Sequence, residues 1–174
     1  MLVFQKSKPG ILIDEMSEIV AYHEAGHAFL ATYVGAQVHS VTIAPDWDDG
    51  PERFGDTQIG WHRDRFSSSE IRQNSIRVAL AGPVAEMLYR GEPLHPGFVP
   101  EWSNDWVVAW EAAAAILGDE QRRLTHLEGV VVELYRFLDQ TLHWAALAAI
   151  ADNLLAHDTL ESEQVREILS SWLD

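Results

Sequence analysis

Residues 19–36 read IVAYHEAGHAFLATYVGA. Alanine, phenylalanine, leucine and valine recur at helical spacing, and Gly35 follows where a glycine commonly ends a helix. Into this apolar helix the chain places His23, Glu24 and His27 within one turn and a half. Burying three such groups is costly unless each is satisfied. Either they decorate a surface, or the helix is built around a metal.

HEAGH, residues 23–27, fits the zinc-peptidase pattern His-Glu-x-x-His. Positions i and i+4 share one helix face, so His23 and His27 can aim both imidazoles at one ion. Glu24 stands beside the first of them, angled toward the position a water would take. Zinc lowers the pKa of such a water to about 7, and an adjacent carboxylate can accept the proton and pass it to a leaving amine. Gly26 adds to the case. A mid-helix glycine costs about 1 kcal/mol relative to alanine, and the room it leaves lets something approach the helix closely beside the ion. Ala21, Ala25, Ala28, Phe29, Leu30 and Val34 are expected to bury the rest of the helix. The plainer alternative, structural or solvent-facing histidines, is open to a chain with eight of them, but it leaves the glutamate in register unexplained.

The 174 residues suggest one domain, 1–174, with enough chain for a real core. A composition of 47% apolar and 22% charged residues is ordinary for a globular protein. The net charge of −15 argues against a nucleic-acid partner, which needs a basic face, and against an anionic membrane surface. With no cysteine, disulfides, thiolate nucleophiles and cysteine zinc sites are excluded. Any metal must be held by His, Asp or Glu. The opening MLVFQKSKPG is too short and too polar for a signal peptide. The longest apolar run, residues 107–117, carries Glu111 and falls short of the roughly 18 residues a membrane span needs. A soluble, cytoplasmic protein is the expectation.

The periodicity predicts an extended arm or irregular lead-in over 1–13, then a helix from about Met16 to Val34 with Asp14 or Ser17 as N-cap. Val38, Val41 and Ile43 predict a strand ended by Pro45, DWDDGPERFG a polar loop, and DTQIGWH, 56–62, a second strand pairing with the first. SSSE opens a helix over 69–90 that ends at Gly91, although Gly82 and Pro83 should bend or break it. GEPLHPGFVPEW is a loop. Helices follow at 103–117, 119–156 in one or two pieces, and 161–173, punctuated by Gly118 and HDTLES. Trp102, Trp106 and Trp110, four apart, form a stripe on one helix face of the kind used for core or oligomer packing. The fold class is mainly α with a small β-sheet.

A catalytic zinc needs a third protein ligand and an open position. Leu30 and Tyr33 stand where the metzincin extension requires glycine and histidine, so that class is out. His62, Glu86, His95, Asp105, His126 and His143 remain, and spacing does not choose among them. Asp105 opens a predicted helix, with Ser103 and Asn104 as cap chemistry, and would serve equally as a first-turn acid. Glu86 could accept a hydrogen bond from the free nitrogen of a ligating histidine, or be satisfied by backbone or arginine.

The ordered set of segments resembles the peptidase domain of the FtsH-type zinc proteases. AYHEAGHA is similar to that family's zinc helix, VHSVTIAP and IGW to its strand pair, and VALAGPVAEML to its Leu-Gly-Gly-Arg-Ala-Ala-Glu segment. SNDW is similar to the segment whose aspartate is the third ligand, and ALAAIADNLLAHDTLESEQVREIL to the closing helical stretch. The resemblance implies that His23, His27 and Asp105 bind Zn2+ and that Glu24 is the base. It also implies a peptide or unfolded-protein substrate, and a ring-forming homo-oligomer that would use some of the apolar surface. Pro83 replaces the family's arginine, the 46–54 loop is acidic, and the sequence carries neither ATPase module nor membrane anchor. A stand-alone relative hydrolysing peptides or unfolded segments is therefore expected. DTQIGWH should present an edge beside the metal, with Gly60 and Trp61 and then His62 along it; Trp61 as sheet core and His62 as a solvated strand end is the plainer reading. The rival function is a non-catalytic binding or regulatory module that keeps the fold and the metal. A third reading is another zinc-peptidase class with Glu86 as third ligand.

Overall fold

Helix α1, Pro9–Tyr33, carries the HEAGH segment. The computed structural model describes residues 9–44 and 55–174, so Pro45 and most of the acidic loop lie outside the described residues. The helix starts earlier than the sequence suggests. Residues 9–13 are helical, not extended, and Asp14 and Ser17 lie inside the helix and not at its cap. Pro9 suits a first helical position, where its fixed φ is helical and its missing N–H is not needed. At the other end Gly35 takes φ +88°. Its N–H meets Thr32 O at 3.1 Å and that of Ala36 meets Ala31 O at 2.9 Å, the paired bonds of a Schellman stop.

Ala21, Ala25, Ala28, Phe29 and Ala31 are fully buried, while Val34 is half-buried. Small residues let helix α2, Ser68–Arg90, come very close. A Cβ at Gly26 would lie 2.7 Å from the Cβ of Ala85. The room left by this glycine is therefore filled by a neighbouring helix. Helix α2 begins with a capping box, Glu70 N–H to Ser67 Oγ at 3.2 Å and Ser67 N–H to Glu70 Oε2 at 2.8 Å. It ends on Gly91 at φ +67°. Contrary to expectation it runs unbroken through Gly82 and Pro83. Interior proline costs about 3 kcal/mol, but residues 78–87 are all buried, and packing on that scale outweighs the loss.

Strands β1, Gln37–Thr42, β2, Asp56–Gly60, and β3, Thr159–Glu161, form an antiparallel sheet in the order β2-β1-β3. The pairing of β1 with β2 is the predicted one. Val38 and Val41 both face the core although they are three residues apart, because a bulge between Val38 and Ser40 shifts the register. The third strand falls within HDTLES, where three extended residues are too few for a periodic signal.

The 91–102 loop contains two 3-10 turns, Pro96–Phe98 and Pro100–Trp102. Helix α3, Ser103–Ala114, is shorter than expected, and Trp102 occupies its N-cap with no side-chain bond from Ser103 or Asn104 taking that role. Helices α4, Glu120–Leu138, α5, Thr141–His157, and α6, Ser162–Leu173, complete the fold. Leu127, Val130, Leu134 and Leu138 form the buried stripe of α4 and join Leu147, Ile150 and Leu154 of α5 in the core. The tryptophans do not make one stripe. Trp106 and Trp110 lie together on α3, 6.2 Å apart, whereas Trp102 is buried against α2. Among the described residues, no helix is long and apolar enough to cross a membrane.

Candidate metal centre

Helix α1 carries His23, Glu24 and His27 to the floor of a cavity of about 650 Å³, each only 6% exposed. Opposite them α3 presents Asp105 from its first turn. Asp105 Oδ2 lies 2.9 Å from His23 Nε2, and Oδ1 lies 3.3 Å from His27 Nε2. The two Nε2 atoms are 3.1 Å apart. Donors bonded at about 2.0–2.1 Å to a tetrahedral zinc stand roughly 3.3 Å from one another, so the spacing suits one small ion.

The remaining ring nitrogens are committed. His27 Nδ1 donates to Val78 O at 2.7 Å and His23 Nδ1 to Glu86 Oε2 at 3.0 Å. A carbonyl and a carboxylate can only accept, so both hydrogens sit on Nδ1. Each neutral ring then turns a lone pair from Nε2 toward the other ring and toward a carboxylate. Such convergence is stable only around a cation, either protons or a metal. Burial lowers the pKa of His27, yet the facing Asp105 and Glu24 outweigh it and raise the value to about 9. His23 is raised too, burial being outweighed by its bonds to Asp105 and Glu86. Burial pushes Asp105 up, but the two imidazoles prevail and hold it well below the usual carboxylate range. Among the described residues, His23, His27 and Asp105 are the group able to hold a metal ion, with ligand atoms within 4.8 Å of one another.

Glu86 stands behind His23, away from this cluster. It is fully buried; Oε2 also accepts Trp102 Nε1–H at 2.7 Å, and Oε1 accepts from Arg90 at 3.3 Å. Glu24 receives the hydroxyl of Thr57 on Oε2 at 2.6 Å. Gly82 leaves space for the His27 ring, which a Cβ at that position would strike. Pro83 has no N–H to offer Ala79 O, in the same turn in which Val78 O accepts from His27.

None of the other histidines named from the sequence joins the cluster. His62 is exposed and outside the cavity, His95 accepts from Gly97 N–H at 3.0 Å, His126 is exposed, and His143 packs on Phe137 at 4.2 Å. The strand expected over 56–62 ends at Gly60, so Trp61 and His62 lie beyond it; Trp61 lines the cavity, while Gly60 gives room to the His39 ring. Thr57, Gly82, Trp102 and Arg90 were not singled out as site residues. Only Gly82 left a trace in the sequence, a Gly-Pro pair inside an apolar helix.

No protein-family model matches the chain. Its sequence is similar to that of the ATP-dependent zinc metalloprotease FtsH of Opitutus terrae, 30% identical over 86% of this chain and 28% of that protein. It is also similar to the ATP-dependent zinc metalloprotease FtsH of Acidimicrobium ferrooxidans, 28% identical over 97% of this chain and 30% of the relative. The protein of that name from Haemophilus influenzae is 24% identical over 98% of this chain and 34% of its own length. The chain thus spans about a third or less of the curated relatives it matches, and the resemblance read from its segments extends along nearly its whole length.

Proposed function

We propose that this chain is a zinc-dependent metallopeptidase domain that hydrolyses peptide bonds in peptides or unfolded protein segments. The observation that carries the reading is the convergence of His23, His27 and Asp105 beside the buried carboxylate of Glu24 in one cavity. Similarity to the FtsH zinc metalloproteases supports it.

His23 and His27 through Nε2, and Asp105 through its carboxylate, would hold the zinc. When bound, the ion acidifies water and polarises a carbonyl. Val78 O and Glu86 keep each imidazole in the tautomer whose Nε2 lone pair faces the cluster. Glu24 takes the proton of the attacking water and delivers it to the departing amine. β2 is an edge strand of the sheet, and its Thr57 and Ile59, with Trp61 just beyond its end, line the cavity. Its edge can pair with the main chain of an extended substrate, which gives tolerant recognition of sequence. A module that only binds has no use for a carboxylate held beside the cluster.

Glu24→Gln tests the proposal. The variant should bind about one zinc per chain, as the parent does, and cleave unstructured peptides at least 100-fold more slowly. Cleavage unaffected by the substitution would contradict it.

A further inference from the structure

The base itself is held by the strand opposite it. Glu24 is nearly buried, and its Oε2 receives the Thr57 hydroxyl at 2.6 Å. A carboxylate only accepts, so Thr57 spends its single hydroxyl hydrogen on this bond. Its position is fixed from the neighbouring strand, because Thr57 is paired in register with Val41, a fully buried core residue. The other oxygen is confined as well: a Cβ at Gly55 would lie 2.6 Å from Glu24 Oε1. Both oxygens are thus bounded by Gly55 and Thr57, just before and at the start of the edge strand whose Thr57 and Ile59 line the cavity.

We infer that Thr57 is a positioning residue for Glu24, fixing the carboxylate through a core-anchored strand so that base and bound peptide are aligned by the same element. This rests on the peptidase reading above. The consequence is a division of labour. Asp105 and the histidines hold the ion without help from β2, while the orientation of the proton acceptor depends on one hydroxyl. Losing that hydroxyl should slow the chemical step and leave both zinc affinity and substrate affinity in place. A hydrogen bond to a charged group, and misplacement of a reacting group by even an ångström, correspond to about 10- to 100-fold in rate.

The experiment compares Thr57→Val, nearly the same shape without the donor, with Thr57→Ser, which retains it. For an unstructured fluorogenic peptide, Thr57→Val should lower kcat about 10- to 100-fold with KM within about twofold, and Thr57→Ser should recover most of it. Zinc affinity, read by chelator competition, should match the parent in both variants. Crystals of the zinc-loaded parent and Thr57→Val should show Glu24 in one orientation in the former and spread over several in the latter. The inference is overturned if Thr57→Val keeps the parental kcat, if zinc affinity falls together with rate, or if Glu24 stays in one orientation without the hydroxyl. A parent that cleaves no peptide contradicts the peptidase reading, and the two crystals still decide whether Thr57 orients Glu24.

Discussion

At the scale of single residues, the proposed site separates into groups that would meet an ion and groups that would aim them. Glu86 belongs to the second kind. Its bond to His23 Nδ1, at 3.0 Å, fixes the ring, and Trp102 and Arg90 hold the carboxylate in turn. Glu86→Gln should therefore weaken zinc binding about 10- to 100-fold without abolishing it, measured by chelator competition. His23→Ala or Asp105→Ala should abolish stoichiometric binding in the same assay. This division was only partly legible in the sequence. His23, Glu24 and His27 are neighbours in one helix, and their spacing states the geometry directly. Asp105 is 82 residues from His23, and no periodicity reports such a separation; only the family resemblance chose it from six candidates. Thr57 left no signal at all, since a threonine in a strand is ordinary and its bond to Glu24 exists only once β2 lies against α1.

At the scale of elements, the packing of α1 on α2 sets the site. Gly26 lets the helices touch and Gly82 lets the His27 ring stand between them. The two glycines predict different defects. Gly26→Ala should destabilise the fold by about 1–3 kcal/mol through overpacking, seen as a lower midpoint in urea. Gly82→Ala collides with the His27 ring, the proposed ligand, so zinc affinity should fall more than stability does. Equal losses in both variants would contradict the assignment. Most element identities were readable because capping and stop signals are local, as in Ser67 with Glu70 and in the glycines at 35 and 91. The errors arose where tertiary packing overrides local preference. Pro83 sits inside a continuous helix because the helix is buried on every side there, and Trp102 leaves its supposed stripe because Glu86 offers its indole a partner. The three residues of β3 pair only because β1 lies beside them.

At the scale of the whole molecule, stability and metal binding are linked through protons. His27 has its pKa raised from 6.5 to about 9 in the metal-free fold. Its stabilising contribution is therefore complete below about pH 6.5 and is lost as pH rises through 9. Asp105 is lowered, so its contribution is present above its unfolded value of 3.8 and fades as pH falls below that. The metal-free protein should lose stability between pH 6.5 and 9, and zinc, which must displace those protons, should raise the melting temperature more at pH 9 than at pH 6. Thermal melts with and without zinc at the two pH values check this; equal gains would contradict it. Whether His23, His27 and Asp105 share one ion can be read from crystals grown with zinc and measured across the zinc absorption edge. One strong anomalous peak should lie about 2.0–2.2 Å from His23 Nε2, His27 Nε2 and an oxygen of Asp105. A peak bound by Glu86 in place of Asp105, or lying away from the two imidazoles, would contradict this sharing of one ion.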